Sequence, residues 1–282
     1  MNWYLLAIIS VVLLAIANLF QRALMEDAES GTISYSLVFQ LACGVLVGIA
    51  AGLHGFSLPP MPRLIPNFIL TGALYGTGTL LLLKALQRAE VSEVTVLKSS
   101  SGLWTIAVAT LFFGESLTAL NIIGIVLIFV SIVIVVYGRN ALRFGKEGLY
   151  ALGAAFCYGT AFANDAFILR YADALSYTTA AFLLPAIFIF LIRPRVVFEL
   201  KPLARPATVV KMIFLAVTYS ASAILLYLAY RRGGAISRLA PINQSVIVLT
   251  VILGAVFLNE RDRLWKKIAA ALVAAFGVFL LR

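Results

Sequence analysis

Lys98 sits about seven residues inside the apolar run Ser92–Phe113 and is followed directly by Ser99, Ser100 and Ser101. At 1.5 Å rise per residue the ammonium lies roughly 10 Å from the nearest polar end of the run. In an apolar surrounding such a charge costs roughly 2.5–3.5 kcal/mol to insert, so it is kept where it meets a polar space or a partner. A cation with hydroxyls beside it favours a carboxylate or a phosphate and disfavours simple cations. A second polar string, Asn243, Gln244 and Ser245, lies in the run Ala235–Phe257. It offers amide and hydroxyl hydrogen bonds without charge. Asp165 is the other charge well inside a run, and it is the candidate for coupling to protons. An interface role with Arg170 stands beside that reading. So does snorkelling of Lys98 to its nearer face.

The neutral candidates follow the same logic. Asn18 and Asn164 lie near the ends of two runs, and Tyr75, Tyr158 and Trp104 are aromatics that could line a pathway or simply pack. Glu115 and Glu260 stand at run ends, where a carboxylate either caps a helix or closes a gate. There is one histidine, in a loop, and two cysteines, both in apolar runs. No metal site, disulfide framework or cofactor is implied. His-Glu-x-x-His metalloprotease chemistry needs a second histidine, and clustered aspartates are absent, so the chain is not expected to be an enzyme.

The elements that carry these residues are long and apolar. The chain is 62% hydrophobic and only 12% charged, against about 25% charge in soluble domains. This is the composition of an all-α integral membrane protein. Ten runs are long enough to cross or nearly cross a bilayer: Trp3–Gln21, Ser34–Leu53, Asn67–Gln87, Ser92–Phe113, Ala119–Tyr137, Leu149–Leu169, Ser176–Ile192, Val209–Tyr230, Ala235–Phe257 and Leu264–Leu281. The first is read as a membrane helix and not a signal peptide, because it lacks a basic leader. Gly44, Gly48 and Gly52, and then Gly72 and Gly76, form small-residue ridges that let helices approach in lipid. Pro185 is expected to kink its helix. The net charge of +10 resides in short loops. It reads as membrane anchoring and orientation, not as nucleic-acid binding.

The runs repeat. Ala15-Ile16-Ala17-Asn18 matches Ala161-Phe162-Ala163-Asn164, the end Lys84-Ala85-Leu86-Gln87-Arg88 matches Leu228-Ala229-Tyr230-Arg231-Arg232, and Leu111-Phe112-Phe113-Gly114-Glu115 matches Val256-Phe257-Leu258-Asn259-Glu260. The offsets are 146, 144 and 145 residues, so each half holds five runs. Five is odd, so the second half enters the membrane from the opposite side. Inverted repeats of this kind build secondary transporters, with sites at the repeat interface. At an offset of 145 residues Lys98 aligns with Asn243, Ser99 with Gln244 and Ser100 with Ser245. Depth along the runs puts one polar cluster toward each mouth. It also separates Lys98 from Asp165 by roughly 14 Å along the normal. A lysine reaches about 6 Å, so a direct pair is not expected.

On these residues the sequence resembles the drug/metabolite transporter superfamily in its two-repeat EamA type. The resemblance covers essentially the whole chain. It rests on the paired Gly-Glu and Asn-Glu ends, the Ala-Leu and Ala-Tyr ends, and Pro241 placed 19 residues before Glu260. The first half has Val96 at the matching place, and Tyr158 stands where a tryptophan is more usual. The resemblance implies two repeats, 1–140 and 146–282, working by alternating access in the plasma membrane. It names no substrate.

The residues add one. We expect a small polar metabolite, anionic or zwitterionic, such as an amino acid, moved by export or exchange. An exporter of cationic or hydrophobic compounds on the same fold is the alternative. Partners are the substrate, the lipid bilayer and protons, with the chain as a monomer or weak homodimer. Of the 22 basic residues, 15 fall in loops on the side away from the N-terminus and six on the N-terminal side. The positive-inside rule then places both termini outside, whereas the resemblance implies both inside. A terminal reporter fusion separates the two.

Overall fold

Apolar runs have one good solution in lipid: each backbone amide must be satisfied within its own segment, which selects helices. The computed structural model describes residues 2–26, 32–57, 61–87, 91–136, 146–200, 203, 206–257 and 264–282. Among these residues are α1 (Trp3–Glu26), α2 (Thr32–His54), α3 (Met61–Leu86), α4 (Val91–Ser99), α5 (Ser101–Phe113), α6 (Ala119–Val136), α7 (Lys146–Ile168), α8 (Ala174–Ile192), α9 (Pro206–Arg231), α10 (Ile236–Gln244), α11 (Val246–Phe257) and α12 (Leu264–Leu280). A short 3-10 turn, Pro194–Glu199, follows α8. Six candidate membrane spans are long and apolar enough to cross, and shorter apolar helices accompany them. The α7 helix is outside both sets although it has 23 residues, because Tyr158, Asn164 and Asp165 lower its hydropathy.

The two halves are interleaved. In four of the principal pairings, α1 packs on α9, α3 on α7, α2 on α8 and α6 on α12. Each joins the first half to the second. The α5–α7 and α1–α11 contacts are a further matched pair. Exchanging the halves maps α1–α9 onto α7–α3, so the pairings follow the symmetry read in the sequence.

Glycine makes these approaches close. A Cβ on Gly44 would stand 2.5 Å from Leu183 Cδ2, and one on Gly76 would stand 2.3 Å from Phe188 Cδ1. Both glycine ridges therefore grip α8, one from α2 and one from α3. Gly52 is the exception, with nothing within 4 Å. On α7 a Cβ at Gly159 would lie 2.3 Å from the carbonyl oxygen of Ser101. Backbone cannot move aside as a side chain can, so the α5 N-terminus is seated on α7 at this point.

Two runs expected as continuous helices are interrupted, and at matching places. The fourth run breaks at Ser100 between α4 and α5, and the ninth at Ser245 between α10 and α11. At each break a 3-10 hydrogen bond forms, shared at Ser245 with the α-type bond to Pro241 O at 3.2 Å. Ser100 N donates to Leu97 O at 3.2 Å, and Ser245 N donates to Ile242 O at 3.1 Å. Each serine hydroxyl also donates back to that carbonyl, at 2.6 Å in both cases. Hydroxyl back-bonding of this kind bends helices, and a mid-helix 3-10 turn commonly marks a hinge. By contrast α8 runs from Ala174 to Ile192 through Pro185 without interruption.

Candidate functional site

The site is built on the α3–α7 seam. Tyr75 and Thr79 are one turn apart on α3, and Tyr158 and Asp165 are two turns apart on α7, so each pair shares a helix face. The Tyr75 and Tyr158 rings meet at 6.0 Å between centroids. Thr79 Oγ1 donates to the Tyr75 carbonyl at 2.8 Å and lies 3.0 Å from the Tyr158 hydroxyl.

The break at Ser100 brings the end of α4 to this seam. Ser101 is held on Gly159, and Thr105 Oγ1 donates to the Gly159 carbonyl at 2.9 Å. Tyr158 is the next residue along α7, and the Lys98 ammonium sits 5.3 Å above its ring centroid. A cation over a desolvated aromatic face gains about 2 kcal/mol. That offsets much of the insertion cost estimated for this residue. Lys98, Tyr158 and Tyr75 are half-buried, as are Ser100, Asn243, Gln244 and Ser245, whereas Ser99 is buried. Gln244 ties the two breaks together: its Nε2 donates to Ser101 Oγ at 2.7 Å. Next to it the Asn243 Oδ1 is buried without a hydrogen-bond partner.

Asp165 has partners other than the one expected. Its expected interface partner was Arg170, near the end of the run. Instead the aspartate is fully buried and receives three tyrosine hydroxyls. Tyr177 donates to Oδ1 at 2.5 Å, Tyr75 to Oδ2 at 2.6 Å and Tyr227 to Oδ2 at 2.7 Å. Arg170 turns away: its Nε donates to the Tyr230 hydroxyl at 3.3 Å and its guanidinium stacks over Phe113 at 4.6 Å. The tyrosines come from α3, α8 and α9, so one carboxylate organises four helices. A buried carboxylate is tolerable only when so satisfied.

The neighbouring Asn164 extends the network. Its Nδ2 donates to the Asn67 carbonyl and to Thr71 Oγ1, both at 2.9 Å. Asn67 Nδ2 donates back to its Oδ1 at 2.6 Å, and Thr71 Oγ1 lies 3.2 Å from the Tyr177 hydroxyl. This seals α3 against α7 and α8 on the N-terminal side.

Other expected residues fall elsewhere. Asn18 donates to Thr250 Oγ1 at 3.4 Å, across the α1–α11 contact. Trp104 is 42% exposed and meets Phe156, 45% exposed, edge to face at 5.1 Å. Its ring contact is with Phe156, not with Lys98 or Tyr158. Glu260 lies outside the described residues. Glu115 is a cap: its Oε1 accepts from the Ile236 amide at 3.0 Å and its Oε2 from the Ser237 amide at 2.8 Å. Gly114 makes this reach by ending α5 at φ 65°, the left-handed conformation that suits glycine. A residue from the first half thus satisfies the first turn of α10 in the second. Replacing Glu115 by Ala is expected to cost about 1–2 kcal/mol of stability, with Glu115→Gln closer to wild type. Thermal unfolding of the purified protein in detergent checks both.

Tyr177, Tyr227, Asn67 and Thr71 were not anticipated. Depth from the N-terminal face, applied to tyrosines as it was to charges, would have grouped them with Asp165.

The EamA-like transporter family matches residues 1–137 and again residues 146–282. The chain belongs to the EamA-like transporter family. A solved crystal structure, described only as that of a protein, is similar to it in fold. Its TM-score is 0.79 at 18% identity, over 99% of this chain and 95% of that one. No curated protein matches the chain. As an EamA-like protein the chain is a multi-pass membrane transporter with a small-molecule substrate and lipid around it.

Proposed function

We propose that this EamA-like protein moves a small anionic or zwitterionic metabolite, such as an amino acid, across the plasma membrane by proton-coupled alternating access. Ten crossings in two inverted halves, 1–140 and 146–282, form the carrier. The α4–α5 and α10–α11 pairs each count as one crossing bent at its serine. Lys98 binds the substrate carboxylate, Gln244, Ser99, Ser100 and Asn243 add hydrogen bonds, and Asp165 carries the proton. Transport is export or exchange.

One observation supports this most directly. Lys98 and Asp165 are opposite charges that do not pair; they stand at the two ends of the Tyr158–Tyr75 ring pair. The unpaired Asn243 Oδ1 is an acceptor suited to an ammonium. The reading as a cationic-compound exporter draws on Asp165. Against it, three tyrosine hydroxyls already occupy that carboxylate, while the charge left for a substrate is positive.

Counterflow into proteoliposomes tests the class, with radiolabelled glutamate, alanine, arginine and tetraphenylphosphonium as probes. Uptake of glutamate or alanine above protein-free vesicles is expected. Uptake confined to arginine or tetraphenylphosphonium would sink the anionic-site reading.

A further inference from the structure

We infer that Tyr75 is the positioning residue that links proton binding at Asp165 to the Lys98 site and to closure of the N-terminal side. The inference rests on the reading of Asp165 as the proton carrier.

Tyr75 and Tyr227 donate to the same oxygen of Asp165. They differ in where they come from. Tyr227 is on α9 and belongs, like Asp165, to the second half. Tyr75 is on α3, in the first half. It alone among the three tyrosines also touches the Lys98 platform, through the Tyr158 ring and through Thr79. A continuous chain therefore runs from the carboxylate, through the Tyr75 hydroxyl and ring, to Tyr158 and the ammonium above it.

The charge state of Asp165 decides whether that chain holds. As a carboxylate it accepts all three hydroxyls. On taking a proton from water it becomes an acid whose own O–H needs an acceptor. One tyrosine must then turn its hydrogen away. Tyr177 keeps its place either way, because Thr71 Oγ1, itself held by Asn164, is a second partner for its hydroxyl at 3.2 Å. Tyr75 and Tyr227 share one carboxylate oxygen and lie within hydrogen-bonding reach of each other, and of the two it is Tyr75 that is tied to the Lys98 platform. Only the Tyr75 bond crosses directly between the halves to the carboxylate, so its loss loosens α3 against α7, leaving Asn67 and Thr71 on Asn164 as the remaining hinge between them. Other charged groups nearby do not compete. Lys98 faces Asp165 from α4 across two rings, Arg170 on α7 is turned to Tyr230 and Phe113, Arg231 on α9 lies 3.5 Å from Asp173, and Glu115 after α5 caps α10.

The test needs no substrate. Spin labels at Arg63→Cys on α3 and Arg232→Cys after α9, both exposed positions at the N-terminal side, report the separation there by pulsed ESR. The native Cys43 and Cys157 are buried and stay as they are. Acidification from about pH 8 to about pH 5, a range that spans carboxylate titration, is expected to shift the wild-type population to a longer distance. Tyr75→Phe keeps the ring and should show the longer distance at every pH, with the shift lost. Tyr227→Phe should retain the shift. A wild-type shift in Tyr75→Phe, or its loss in both tyrosine variants, overturns the role given to Tyr75. If wild type does not shift, or Asp165→Asn still shifts, the proton role of Asp165 fails and Tyr75 with it. The counterflow result for anionic probes is independent of either failure.

Discussion

Lys98→Ala is expected to abolish most transport while leaving the protein at least as stable as wild type. The ammonium is the charged group available to a substrate carboxylate, and a charge-assisted hydrogen bond contributes about 1.5–3 kcal/mol. Removing it should weaken apparent affinity by roughly 10- to 100-fold. The fold has no such need of it. The Lys98 ammonium rests on the face of Tyr158, and an inserted lysine costs roughly 2.5–3.5 kcal/mol. Loss of function with retained or raised melting temperature separates a binding role from a structural one. Lys98→Arg keeps the charge and can stack on Tyr158, so activity within about tenfold of wild type is expected. Proteoliposome counterflow and thermal unfolding on the same preparations give both numbers. If both variants transport as wild type does, Lys98 is not the anion site.

Asp165 should behave in the opposite way. Asp165→Ala leaves the hydroxyls of Tyr75, Tyr177 and Tyr227 without their acceptor, and Tyr177 and Tyr227 are only 1% and 7% exposed. Each unsatisfied buried hydroxyl costs about 1–3 kcal/mol. The four helices joined at this point should therefore loosen, with a stability loss of about 3–5 kcal/mol. Asp165→Asn keeps one acceptor oxygen and nearly the same shape. It should lose less stability than Asp165→Ala but still lose proton-driven transport. Substrate exchange without a proton gradient should survive in Asp165→Asn. Equal stability of wild type and Asp165→Ala would mean the tyrosine cage is not a structural joint.

The apolar runs, their two-fold repeat and the alignment of Lys98 with Asn243 were legible from residue order alone. Each is a property of one segment, or of two segments compared, and hydropathy and spacing report such properties directly. The glycine ridges were legible as ridges, but which helix they grip was not: both clasp α8, and Gly52 clasps nothing. The breaks at Ser100 and Ser245 escaped because serine is tolerated inside a helix. Only the local hydrogen bonds to Leu97 and Ile242 show the chain tightening there.

Asp165 marks the boundary between the two kinds of knowledge. Its type and its place in an apolar run announced a group that something must satisfy, because an unpaired carboxylate in apolar surroundings is too costly to keep. Which groups satisfy it depends on four helix faces meeting at one point. Tyr75, Tyr177 and Tyr227 are separated from it along the chain by 90, 12 and 62 residues. No periodicity connects those positions. The sequence by itself determined the class of molecule, its two-fold plan and the charges that must find a use. The packing of α3, α8 and α9 around α7 decided that Asp165 is bound by tyrosines and Lys98 by a ring face, because hydrogen bonds are short-ranged and only tertiary contact selects among the partners a sequence makes available.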